Sequence, residues 1–171
     1  MRKNSRTKGH SFERSVCKLL NDKLKIETTK YKWKRVPLSG GFDKQNFPGD
    51  IYTTGITRFS EMFSIECKFY KTWKLEDLIN GNSPRILEWW KQASDDAAGA
   101  EKYPLLIFKK NNSKIYFMIR EKDLKEYTDS NDKKYIAGNI LCLPSKYNII
   151  DKKTIVIGLF DNLLKCIKHI G

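Results

Sequence analysis

Apolar residues at helical spacing open the chain. Phe12, Val16, Leu19, Leu20 and Leu24 recur three or four apart and predict an amphipathic helix over 8–24, KGHSFERSVCKLLNDKL. β-favouring residues cluster around Trp33 and Val36, and PLSGGFDKQNFPGD (37–50), rich in Gly and Pro, predicts an irregular loop. A strand is expected to begin at Asp50 to Thr53, and a turn near Gly55 leads into the best strand of the chain, MFSIECKFY (62–70). It alternates: Phe63, Ile65, Cys67 and Phe69 point one way, Ser64, Glu66, Lys68 and Tyr70 the other. After a polar connector (71–84), Ser83 and Pro84 suit the N-cap and N1 of a helix through RILEWWKQASDDAAGA, stopped at Gly99. YPLLIFKK and KIYFMI read as strands joined by a turn at Asn111, Asn112 and Ser113. A polar loop is expected over 128–139, TIVIGLF as a last strand, and DNLLKCIKHI as a closing helix. This order predicts a central mixed β-sheet flanked by helices, an α/β or α+β fold.

Length and charge narrow the picture. A chain of 171 residues fits one domain, with a basic arm at about 1–8, chemistry-bearing motifs over 8–68, and helix and strands over 84–171. The formal net charge is +13. Residues 1–35 hold twelve Lys or Arg against three acids, a net +9 in this fifth of the chain. Such a field concentrates polyanions, nucleic acid above all, although lysine also serves plain solubility. Cys17, Cys67, Cys142 and Cys166 form no CxxC pair, and His10 and His169 add no ligand spacing, so zinc is not expected. The start lacks the apolar region of a secretory signal, and no apolar run is long enough to span a membrane. A reduced, cytoplasmic protein is the expectation.

The chemistry centres on β-strand 62–70. Glu66 and Lys68 share one face, and both are costly to bury unless paired or metal-bound. A simple Glu–Lys pair on a half-exposed sheet is the plain alternative. Asp50 changes that balance, because it opens the preceding strand and can approach Glu66. Two carboxylates about 5 Å apart repel by roughly 3 kcal/mol at an effective dielectric near 20. A divalent cation such as Mg²⁺ would offset the repulsion, act on phosphate as a Lewis acid, and leave Lys68 to stabilise developing charge. Glu13 sits at the edge of the first helix's apolar face and could reach the same metal site through water; taken alone, its plain reading is a helix-edge acid paired with Arg14 or Lys18.

The ordered pieces Lys8-Gly9 with Phe12-Glu13-Arg14, Arg35 with Ser39-Gly40, Asp50-Ile51, and Ile65-Glu66-Cys67-Lys68 resemble the PD-(D/E)XK nuclease superfamily. Within it they are most like archaeal and phage Holliday-junction resolvases. One departure is that Gly49 separates Pro48 from Asp50, so the motif reads P-G-D. The resemblance implies a restriction-endonuclease-like core, with Asp50, Glu66 and the main-chain carbonyl of Cys67 binding Mg²⁺ or Mn²⁺. Lys68 would be the catalytic lysine, and Glu13 the helix carboxylate completing the site. Ser39 would approach the scissile region and Arg35 the phosphate backbone. A homodimer nicking opposing strands of a four-way DNA junction is the implied activity. Lys8, Arg14, Lys32 and Lys34 are further DNA-contact candidates, and Gln92 in WWKQA is similar to a glutamine some relatives hold near the site. The alternatives are a restriction-type or repair nuclease of the same superfamily, or a non-catalytic DNA-binding protein on this fold.

Overall fold

Helix α1 (Ser5–Lys23) buries the predicted stripe, with Phe12, Val16, Cys17 and Leu20 all in the core. It begins inside the segment expected to be an arm, because Arg and Lys are good helix formers but leave no apolar period to read. The computed structural model describes residues 5–24, 32–37, 47–74, 76–77, 83–128, 140–143 and 154–168.

The other elements follow in chain order: β1 (Trp33–Arg35), β2 (Ile51–Thr53), α2 (Arg58–Met62), β3 (Phe63–Tyr70), α3 (Pro84–Ala98), β4 (Tyr103–Lys110), β5 (Tyr116–Arg120), α4 (Glu121–Thr128), β6 (Ile140–Leu143), β7 (Ile155–Leu159) and α5 (Phe160–Lys168). The strands form one seven-stranded mixed sheet in the order β1-β2-β3-β4-β5-β7-β6. Among the described strands only β3 and β4 pair in parallel, the connection that needs a crossover helix, here α3. The expected mixed sheet flanked by helices is therefore present.

Both faces of the sheet are covered. Phe63, Ile65 and Cys67 of β3 pack with Leu105 and Ile107 of β4 against α1 and α5. Leu106 and Phe108 of β4 face the other way, onto Ile86, Trp90 and Ala93 of α3. Burial on both sides is why Ser64 and Glu66, on the polar face of β3, end up 3% and 5% exposed. The turn at Asn111–Ser113 forms as expected, with Asn112 at φ 52°.

Three elements were not anticipated. Helix α2 has only five residues and rests on a reciprocal cap between Thr57 and Ser60, which a periodicity argument cannot see. Helix α4 starts with Glu121 and Asp123 and buries Leu124 and Tyr127. Strand β6 lies at the sheet edge beyond β7. The connector after β3 is not simply polar, since Trp73 is buried against Phe108 and Tyr116, with ring centroids 5.2 Å away in each case. Of the polar loop expected over 128–139, Thr128 ends α4 and residues 129–139 lie outside the described residues.

Candidate active site

Asp50 and Glu66 come together because β2 pairs antiparallel with β3 at Ile51 and Ile65. The Asp50 N–H donates to the Ile65 carbonyl at 2.7 Å, and its Oδ2 accepts the Cys67 N–H at 2.9 Å. Carbonyls two residues apart point to the same strand edge, so the Cys67 carbonyl is directed to the side of β3 where Asp50 lies. Gly49 makes this approach possible. It has φ +82°, and a Cβ there would stand 2.4 Å from the Ile65 carbonyl oxygen. The P-G-D spelling is thus a steric requirement of this site rather than a simple departure from a motif.

The electrostatics are those of crowded anions. Asp50 is pushed up to about 7, by burial first and by the Glu66 carboxylate second; the Cys67 N–H and Lys68 act in the opposite sense. Glu66 Oε1 lies 2.6 Å from Lys68 Nζ, so the simple ion pair does form, but around a carboxylate that is 5% exposed. Glu13 is brought to the same neighbourhood from α1, and its charge also raises Asp50. Its Oε2 accepts the Arg35 Nε–H rather than contacting Arg14 or Lys18. No three His, Cys, Asp or Glu side chains are gathered tightly enough for a metal among the described residues.

A pair of buried, mutually repelling carboxylates is nevertheless a fit for a hard divalent cation. Both donors are oxygen, and a cation would offset both the burial and the Glu66 repulsion that raise Asp50. The nearby thiols do not compete as ligands. Burial pushes Cys17 up to about 11 and Cys67 well above its ordinary range, leaving both protonated.

Compared with protein-family models, residues 4–170 match the family described as phage putative PDDEXK endonuclease. The chain belongs to this family. Comparisons with curated proteins and with solved structures return no match. Membership in the phage PDDEXK endonuclease family makes the chain one of the PD-(D/E)XK nucleases, which generally use divalent metal ions. A nuclease binds nucleic acid, in keeping with the net charge of +13. No helix among the described residues is long and apolar enough to cross a membrane.

The remaining candidates of this phage PDDEXK endonuclease separate by position. Arg14, Lys32 and Lys34 are exposed, Lys8 is half-buried, and Arg35 is engaged with Glu13. Trp33, between those lysines, is core at 3% exposure. Ser39 lies outside the described residues. Gln92 is exposed on α3, one turn after Trp89. Gly49 is the site residue the sequence reading undervalued. Its signal was present, since a glycine directly before the strand-opening acid marks a close backbone approach.

Proposed function

We propose that this nuclease is a divalent-metal-dependent endodeoxyribonuclease, a single nuclease domain over 1–171 that hydrolyses phosphodiester bonds in branched DNA. The observation that carries the reading is the pairing of Asp50 with Glu66 on adjoining strands, with Lys68 Nζ 2.6 Å from Glu66. Asp50, Glu66 and the Cys67 carbonyl would hold Mg²⁺ or Mn²⁺. When bound, such an ion supplies Lewis-acid polarisation of a phosphodiester oxygen and acidifies a water. Lys68 places positive charge on the catalytic face, where charge develops on the attacked phosphate. Glu13, held by Arg35, adds negative charge that would favour the cation.

The four-way junction as substrate is supported by the motif order shared with junction resolvases, and two paired nicks require two copies of the site. The host cytoplasm is the compartment that goes with this role. The test is cleavage of a labelled four-way junction, its matching duplex, a flap and a single strand, in Mg²⁺ and in EDTA. Symmetric Mg²⁺-dependent nicks confined to the junction support the proposal. Sequence-specific duplex cutting replaces it with a restriction-type nuclease, and binding without any cleavage refutes catalysis.

A further inference from the structure

Strand β3 carries more than Glu66 and Lys68 on its catalytic face. Tyr70 is two residues beyond Lys68 on the same face, about 7 Å further along the strand. It is one of the few large apolar side chains left exposed among the described residues, at 39%. Helix α3 returns over this strand end. Arg85 Cζ sits 4.0 Å from the centre of the Tyr70 ring, and Trp89, one turn on, meets that ring edge-on at 6.0 Å.

The way Arg85 is held leaves its binding edge available. An arginine stacked on an aromatic ring uses the face of its guanidinium, whereas its N–H donors lie in the plane. Arg85 is exposed, and no carboxylate pairs with it among the described residues. The group is therefore positioned by a ring instead of an acid, which leaves N–H donors for a bidentate contact with a phosphate. Arg85 is thereby held at the Tyr70 end of β3, beyond Lys68 as counted from Glu66.

We propose that Arg85, held on Tyr70 and braced by Trp89, is a clamp for a DNA backbone phosphate flanking the one that is cut. This rests on the nuclease reading above and adds a substrate contact to it. Stacking restricts the long side chain before DNA arrives, so less ordering is required on binding.

The test is equilibrium binding of a labelled four-way junction and its matching duplex across a salt series, in a Lys68→Ala background that holds DNA uncut. Arg85→Gln weakens binding about 10- to 100-fold, as loss of a charge-assisted pair of hydrogen bonds should. It also lowers the salt slope by about one. Arg85→Lys restores the slope but little of the affinity, because an ammonium has no planar fork. Tyr70→Leu weakens binding and adds nothing further on Arg85→Gln, while Tyr70→Phe, which keeps the ring, behaves as wild type. Unchanged affinity and slope in Arg85→Gln, or full rescue by Arg85→Lys with Tyr70→Leu silent, overturns the clamp. If those results come with normal cutting by the unmodified protein, the nuclease reading stands and only the clamp falls. A wild type that neither binds nor cuts DNA sinks both.

Discussion

The carboxylate of Asp50 accepts the backbone N–H of Cys67, at 2.9 Å, across seventeen residues of chain. That bond locks the acid opening β2 against the middle of β3, one residue from Glu66 and one from Lys68. The catalytic proposal depends on this attachment, because it holds two anions together that would otherwise separate.

The pH dependence of the metal-free protein follows from the burial of Asp50 and from that crowding. Asp50 is raised from 3.8 to about 7, so the folded state holds a proton that the unfolded state has released. Its contribution to stability is complete below about pH 4 and is lost as pH rises through about 7. In EDTA, thermal melting should therefore fall by several degrees between about pH 5 and 8, with Asp50→Asn showing a flatter profile. Mg²⁺ should recover the loss at the alkaline end. A wild-type profile with no such decline would count against the buried carboxylate pair.

Lys68→Ala removes the ammonium 2.6 Å from Glu66. Cleavage of any DNA substrate should drop by at least about 10²- to 10³-fold, the scale on which a charge-stabilising donor acts. Binding should change less than about threefold. Single-turnover cleavage and a binding titration separate the two; equal losses in both would make Lys68 a binding residue.

Gly49→Ala should be more damaging than its size suggests. The substitution places a methyl group 2.4 Å from the Ile65 carbonyl oxygen at a backbone φ of +82°. Relief requires β2 to move off β3, which pulls Asp50 from Cys67. We expect a stability loss of about 2 kcal/mol or more together with near-complete loss of cleavage. Urea unfolding and a cleavage assay on the same preparation check both, and wild-type behaviour in either would show the approach to be looser.

Arg35 and Glu13 should behave as one unit. Arg35→Met leaves the Glu13 carboxylate buried without its guanidinium partner, at a cost of about 2 kcal/mol given that Arg35 is partly exposed. Adding Glu13→Gln should recover part of that loss. Urea unfolding of the two singles and the double gives the coupling; strict additivity would mean that the pair is not maintained in solution.

Much of the fold could be read locally. The α1 stripe, the alternation of β3 and the Gly99 end of α3 each arise from periods of a few residues, which a linear chain displays directly. Helix α2 and the burial of Trp73 were hidden, because a five-residue helix has no period and a tryptophan's surroundings come from distant strands. The Glu13 partner was misjudged for the same reason. Arg14 and Lys18 are near it in sequence, but Arg35 reaches it from β1.

The chain's own order of residues determined which acids could form a site and that Glu66, Lys68 and Tyr70 share a face, since both depend on side-chain type and a two-residue repeat. Only the tertiary structure decided that Asp50 meets Cys67, that Gly49 must lack a side chain, that Arg35 holds Glu13, and that β7 inserts between β5 and β6. Those relationships join segments far apart in sequence, and long-range pairing is settled by burial and hydrogen bonding across the whole sheet, which no local pattern contains.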